Sequence, residues 1–316
     1  MRKSRTRLAP SPTGALHLGN ARTFLVNWAL ARQRGWEIVL RIDDLDGPRV
    51  KPGADTLAID IMRWLGMDWD EGPYYQRSDL GRYEAALADL AERGLIYPCR
   101  CTRSQIQAAS LSAPHAGQHE LRYPGTCRPA RPIAADASLL GQADVAWRVR
   151  TDEETVAFQD AFAGEQQFCP HTEVGDFLVA TKTGLPSYQL ASVIDDDDQS
   201  IDQIVRGDDL LSSAARQLFL YRLLGRSPEP TYTHLPIVIG SDGKRLAKRH
   251  GDTRVDYYRQ QGVAAQRVLG LLAEWCGLGP RRPMSAAEFQ AGFSLDRLPR
   301  EPIVFQPADD RWLLDA

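Results

Sequence analysis

The chain has 316 residues, 43% of them hydrophobic and 25% charged, with 25 Gly and 20 Pro. That composition supports a sizeable core, in one large domain with an insertion or in two modest ones, and excludes global disorder and fibrous repeats. With 38 basic against 41 acidic side chains, a formal net charge of −3, the chain is not a uniformly basic coat, so contact with nucleic acid must use a local patch.

The N-terminus, MRKSRTRLAPSPTG, starts basic but has no apolar stretch of a secretory signal, and no uncharged apolar run nears the roughly 20 residues that span a bilayer. The expectation is a cytoplasmic protein with no membrane association. Arg5–Ala9 is a short strand candidate ending at the breaker-rich loop Pro10–Gly14. A helix follows from Gly19 to Arg34, with Phe24, Leu25, Trp28 and Leu30 on an apolar side and Gly35 as its stop. Glu37–Ile42 is the next strand, and strand–loop–helix–strand is the opening of a parallel α/β sheet. Asp55–Leu65 and Arg82–Arg93 are further helices.

Residues 98–188 change character, with Pro, Gly and polar clusters and strand candidates at Val145–Arg150 and Val156–Asp160. They are expected to form an inserted subdomain between Rossmann-like halves at 1–97 and 189–250. In the second half, Ala191–Ile194 and Ile204–Arg206 are strand-like, Asp195–Asp198 is best explained as a solvated acidic turn, Ser212–Leu224 is a helix and Leu235–Ile239 a strand. Residues 251–316 are expected to make a small helical module. Ala264, Val268, Leu271, Leu272 and Trp275 form an apolar side there, Cys276 lies next to it as a core residue, and Ser285 with Glu288 fits a capping box.

Two loops carry nucleotide chemistry. After the first strand, His17, Gly19 and Asn20 stand at the mouth of a helix, whose free N–H groups and partial positive charge suit polyphosphate. A plain N-cap with a satisfied His is the competing explanation. After the last strand, Lys244-Arg245-Leu246-Ala247-Lys248-Arg249 offers Lys248 to an α-phosphate and Arg245 and Arg249 to pyrophosphate. A solvated basic loop is the alternative there.

Five cysteines are too few for a disulfide scaffold, but Cys99, Cys101 and Cys127 cluster in a pattern that favours Zn²⁺ over Mg²⁺. For a fourth ligand, generic chemistry prefers His119 or His115 to a phenol, and Cys169 is a rival.

The two loops together resemble the signature motifs of class I aminoacyl-tRNA synthetases, most closely the glutamyl branch. PSPTGALHLGNAR at 10–22 is similar to its first signature and Arg245–Arg249 to its second, with Arg and Ala where Lys and Ser are frequent. LRIDDLD at 40–46, GPYYQRSD at 72–79, PSYQLASVIDD at 186–196 and IVRGDDLL at 204–211 follow in the expected order. The resemblance implies a Rossmann-like catalytic domain with an inserted zinc subdomain, activating glutamate with ATP and Mg²⁺. It implies a catalytic set of His17, Asn20, Lys248 and Arg245. Around ATP it places His17, Gly19, Asn20, Asp209, Leu235 and Lys248. The glutamate pocket it implies is Arg7, Ser11, Asp43, Tyr188 and Arg206, with Asp43 where the branch usually has Glu. The chemistry agrees, because a dicarboxylic amino acid needs cations for its carboxylates and an anion for its ammonium. For zinc the resemblance points to Tyr123 beside the three cysteines.

Only the residues from 250 onward follow the second signature, too few for the large anticodon-binding region of full-length members. The chain therefore resembles the truncated paralogues of the branch. These activate glutamate without tRNA and transfer it to the queuosine cyclopentene-diol at the wobble position of tRNA(Asp). The alternative is a discriminating enzyme charging the 3′ end of tRNA(Glu). A monomer is expected.

Overall fold

The computed structural model describes residues 2–111, 122–244, 246 and 252–315. His115, His119, Arg245, Ala247, Lys248 and Arg249 lie outside the described residues.

The first half runs β1 (Arg5–Leu8), α1 (Leu18–Arg34), β2 (Glu37–Ile42), α2 (Ala54–Trp64), β3 (Glu71–Tyr75) and α3 (Gly81–Glu92). The middle runs β4 (Ile96–Cys99), α4 (Arg103–Leu111), β5 (Ala146–Val149), β6 (Val156–Asp160), β7 (Gly164–Phe168), α5 (Pro170–Glu173) and β8 (Leu178–Ala180). Then come α6 (Tyr188–Asp198), β9 (Gln203–Gly207), α7 (Leu211–Leu223), β10 (Thr231–Leu235) and β11 (Val238–Ile239). The chain closes with α8 (Val255–Gln260), α9 (Ala265–Trp275), α10 (Ala286–Gly292), β12 (Ile303–Val304) and α11 (Pro307–Leu314).

The central sheet is parallel and five-stranded, in the order β10-β9-β1-β2-β3. The first strand therefore lies in the middle. The chain winds outward to β3 on one side and, after the insertion, through β9 to β10 on the other. The strand order reverses between β1 and β9, and in open parallel sheets the crevice at such a switch point is where ligands bind.

Alternation along the strands sorts their side chains. In β2, Ile38, Leu40 and Ile42 join the core under α1, α2 and the C-terminal helices, while Val39 joins the core under α3, α6 and α7. Each such burial contributes about 2 kcal/mol. The same period sends Arg7 of β1, Arg41 of β2, Arg206 of β9 and His234 of β10 to the Val39 face, against α6. Helix α1 is held by its ends. His17 Nδ1 accepts from the backbone N–H of Asn20 at 3.3 Å, and Gly35, at φ 67, closes the helix onto Ala31.

Two expectations are corrected. Ala191–Ile194 is not a strand but the middle of α6, which starts at Ser187, whose hydroxyl accepts from Leu190 N–H. A short apolar run buried on all sides carries no period that separates strand from helix. Asp195–Asp198 is accordingly the last turn of α6 rather than a solvated loop, with Asp195 and Asp196 at 0% and 2% exposure. The strand expected over Leu235–Ile239 is divided. β10 ends at Leu235, Pro236 interrupts the ladder because it has no N–H, and Val238–Ile239 pairs with Ile303–Val304 in a separate two-stranded sheet.

In the insertion, β4, β5 and β8 form an antiparallel sheet and β6 and β7 a hairpin whose turn docks on β10, Ala161 N–H donating to Tyr232 O at 2.8 Å. The C-terminal residues pack into the α1 core. Val268, Leu271, Leu272 and Trp275 are buried along α9, Cys276 is fully buried, and the Ser285–Glu288 capping box is formed. Ala264 is the N-cap of α9 rather than part of its face.

Candidate active site

A cleft of 860 Å³ opens at the C-terminal ends of β1, β2 and β9, beside the N-terminus of α1. It gathers side chains spread over most of the sequence. His17, Gly19, Asn20 and Asp209 line it. Arg7, Ser11, Asp43, Tyr188 and Arg206 line it as well. Leu235 is fully buried in the core, and Ile237 and Val238 form that wall instead. Glycine at position 19 keeps the floor open, since a Cβ there would lie 3.1 Å from the His17 ring and 3.3 Å from Val238 Cβ.

Lys248 and Arg245 are not described. Leu246 lines the cleft, and Thr253 O accepts from Leu18 N–H at 2.9 Å. Of the basic side chains near the two ends of the signature motifs, Arg5 is paired with Glu71 at 2.8 Å and Arg254 with Asp252 and Asp256.

Beneath Arg7 and Asp43 lies a buried charge network that motif spacing does not reveal. Arg41, with a side chain 1% exposed, donates to Asp43 at 2.8 Å, Asp196 at 2.7 Å and Gln199 at 3.2 Å, and Asp195 lies 3.7 Å away. Arg7 reaches Asp196 at 3.3 Å. Asp195 also accepts from Gln76 and Tyr83, each at 2.6 Å, and pairs with Arg82 at 2.9 Å. Two aspartates at a helix C-terminus oppose the helix dipole, and these arginines offset that cost. Burial pushes Asp196 up, but Arg41 and Arg7 outweigh it and hold the carboxyl below its ordinary range. For Asp43 burial wins over Arg41 and raises the carboxyl to about 6.

Arg206 is equally constrained. Its Nε donates to His234 at 2.9 Å, Nη1 to Gln217 at 2.8 Å and to the Tyr188 hydroxyl at 3.3 Å, and Nη2 to Leu210 O at 3.2 Å. The sequence signal for His234 was its place in TYTHL, two residues after the buried Tyr232 on the same face, but nothing local pointed to a ligand site.

A second group of side chains lies in the insertion. The sulfurs of Cys99, Cys101 and Cys127 all lie within 4.8 Å of one another, the only such metal-ligand cluster among the described residues. The Tyr123 hydroxyl is 3.5 Å from Cys99 Sγ and 3.9 Å from Cys101 Sγ, and accepts from Cys127 N–H at 2.8 Å. Burial and Cys127 lift Cys101 to about 11, while at Cys127 burial is outweighed by the combined hydrogen bonds of Tyr123, the Arg100 backbone, Cys101 and Cys99, which lower the thiol to about 7. Cys169 stands apart as the N-cap of α5. Between the cluster and the cleft, a groove of 780 Å³ carries Arg103, Arg148, Lys182 and Arg216 and shares Thr181, Ser187 and Tyr188 with the cleft.

A helix N-terminus facing a cleft at the switch point, with arginines and a carboxylate opposite, is the layout of an enzyme that joins an amino acid to a nucleotide. The profile of class I tRNA synthetases (E and Q), catalytic domain, matches residues 3–297, and the chain belongs to that family. It is 44% identical to the glutamyl-Q tRNA(Asp) synthetase of Symbiobacterium thermophilum, over 94% of each chain. With the glutamate-tRNA ligase of Pelobacter propionicus it shares 38% identity over 98% of its own length and 65% of that protein's. The glutamate-tRNA synthetase of Elizabethkingia anophelis superposes with a TM-score of 0.80 at 25% identity, covering 99% of this chain and 70% of that one. No helix among the described residues is long and apolar enough to cross a membrane.

Proposed function

We propose that the chain, acting as a cytoplasmic monomer, activates L-glutamate with ATP in the absence of tRNA and passes it to the queuosine cyclopentene-diol of tRNA(Asp). The observation that carries this reading is the single cleft in which Arg7, Asp43, Tyr188 and Arg206 stand next to His17, Asn20 and the N-terminus of α1. The extended similarity to the Symbiobacterium relative supports the RNA acceptor.

In this reading the glutamate α-carboxylate attacks the α-phosphate of Mg²⁺-bound ATP and pyrophosphate leaves. Arg7 and Arg206 face the carboxylates, Ser11 and Tyr188 donate hydroxyls, and Asp43 accepts from the ammonium. Asp209 stands toward the ribose. His17, Asn20, Lys248, Arg245 and the helix dipole stabilise charge on the phosphates, and Gly19 admits the nucleotide to the backbone. A queuosine hydroxyl then attacks the mixed anhydride and AMP leaves. The basic groove beside the cleft is where RNA phosphates would lie.

The deciding experiment is transfer of labelled glutamate to tRNA(Asp) with and without queuosine, beside tRNA(Glu). Only queuosine-containing tRNA(Asp) should be labelled, and periodate cleavage of the diol should abolish it. Labelling of tRNA(Glu) at its 3′ end would replace this reading with that of a glutamate-tRNA ligase. Pyrophosphate exchange should need glutamate and ATP alone.

Asp43 gives the reaction an acid limb. A carboxyl near 6 loses its negative charge as pH falls through that value, and a neutral Asp43 no longer attracts the substrate ammonium. The glutamate KM in pyrophosphate exchange should therefore rise steadily below about pH 6 and flatten above about pH 7. Asp43→Asn should show a high KM without that slope; a wild-type KM flat throughout this range would remove Asp43 from the ammonium site.

We further propose that Cys99, Cys101, Cys127 and Tyr123 hold one structural Zn²⁺. Three soft donors and a phenol oxygen converging from two loops fit a tetrahedral site. Elemental analysis of protein prepared under reducing conditions should find about one zinc per chain, and Cys127→Ala should lose it. Tyr123→Phe should weaken retention of the metal against a chelator; unchanged retention would assign the fourth position to another group.

A further inference from the structure

Arg206 is gripped from behind by two side chains that do not line the cleft. His234 Nε2 accepts from Arg206 Nε at 2.9 Å, and His234 Nδ1 lies 2.6 Å from Asp160 Oδ2. Both His234 and Asp160 are 1% exposed. The proton positions follow from valence. A guanidinium N–H can only donate, so Nε2 must be the bare nitrogen, and the single ring proton sits on Nδ1 and is donated to Asp160. Burial and the neighbouring Arg206 hold the imidazole below its ordinary pKa against the pull of Asp160, which keeps it neutral.

Asp160 is fixed in turn. Its Oδ1 accepts from Phe162 N–H at 2.9 Å and Ala163 N–H at 2.7 Å, closing the turn between β6 and β7. That turn is latched from the far end of the chain, Arg300 donating to Phe162 O at 2.9 Å. The hairpin thus delivers one carboxylate to a histidine 74 residues further on.

The consequence appears at Arg206. Four of the five guanidinium N–H groups are committed to His234, Gln217, Tyr188 and Leu210, which leaves one on Nη2. Tyr188 accepts from Arg206 and so keeps its own hydroxyl proton to give. A ligand at this corner meets one N–H, which can only donate, beside a hydroxyl with a proton to give, an array matched better by the two oxygens of a carboxylate than by a carboxamide, which brings one oxygen and one NH₂.

We propose that Asp160 and His234 are positioning residues that fix the orientation in which Arg206 presents its one remaining N–H beside the Tyr188 hydroxyl, and so favour glutamate over glutamine. The proposal rests on the reading of Arg206 as a glutamate ligand given above.

The test is pyrophosphate exchange with glutamate and ATP varied separately, on the wild type, His234→Leu, His234→Gln and Asp160→Asn. In Asp160→Asn the backbone donors hold the amide oxygen at the Oδ1 position and turn NH₂ toward Nδ1. The ring proton then moves to Nε2, where it faces Arg206 Nε–H. His234→Leu and Asp160→Asn should each raise the glutamate KM about tenfold or more, leave the ATP KM within about twofold, and narrow the preference over glutamine. His234→Gln, whose amide oxygen can accept from Arg206, should recover most of the loss. Nitrogen-15 NMR of the wild type should show a neutral His234 protonated at Nδ1, and it decides the point even if His234→Leu does not fold. A wild type that exchanges no pyrophosphate with glutamate sinks the functional reading. An active wild type in which His234→Gln is no better than His234→Leu, or in which both KM values rise together, sinks the relay alone, as does an Nε2-protonated ring.

Discussion

Replacing Arg41 with Met should destabilise the protein by about 3–5 kcal/mol, the cost of stranding buried carboxylates without their cation. Arg41 is the shared partner of Asp43 and Asp196, with Asp195 at 3.7 Å, and its side chain is 1% exposed. Met fills much of the volume but supplies no charge, so cavity formation contributes little and the loss is electrostatic. That assignment has a pH signature. Asp196 lies below its ordinary range in the native protein, so its contribution is full above the unfolded carboxylate pKa and fades as pH falls through the folded one. In the variant the same carboxylates are pushed up and take protons more readily. The gap between variant and wild type, read from urea unfolding, should be widest near about pH 7 and shrink toward about pH 5. A gap independent of pH would mean packing rather than charge. No gap at all would mean that the network adds nothing to the fold.

Lys248→Ala should lower the rate of glutamyl-adenylate formation by roughly 10²- to 10³-fold while the glutamate KM changes little, because the ammonium is needed where phosphate charge develops. Arg206→Ala should behave differently, raising the glutamate KM as well as lowering the rate, since its partner is already present in the ground state. The two variants assayed together by pyrophosphate exchange separate the phosphate end of the cleft from the amino-acid end. An unchanged rate for Lys248→Ala would remove it from the catalytic set. A pure rate effect for Arg206→Ala would move that arginine to the phosphates.

What could be read without coordinates followed the range of the interactions. Helix α1 was legible because its cap and its stop, His17 and Gly35, sit beside the residues they terminate. The sulfur cluster was legible because Cys99, at the end of β4, is two residues from Cys101 and Cys127 follows in the same stretch of chain. The strand EIVLRI announced itself through alternation, since one of its faces is more apolar than the other. The stretch LASVIDD did not, because burial on all sides erases the period that marks a helix, and its aspartates looked like solvated charge. Their partners, Arg7 and Arg41, lie more than 150 residues away in sequence. The Asp160–His234 contact is of the same kind, with nothing in either neighbourhood pointing to the other. Most groups lining the cleft were therefore accessible through motifs, while the groups that hold those residues in place depended on the fold.

Arg22 offers one more consequence. Fully buried inside α1, it donates to the carbonyls of Pro236 at 2.7 Å and Trp275 at 3.3 Å, tying the helix whose N-terminus lines the cleft to the end of α9. The residues from Val255 onward share one continuous core with that helix. They cannot be swapped as a cassette or trimmed away as an appendage, since doing so would strip α1 of its backing and take from the buried Arg22 one of its two carbonyl partners, that of Trp275. For an engineer reshaping the protein, the groove beside the cysteines is the surface to edit, and the C-terminal helices are foundation.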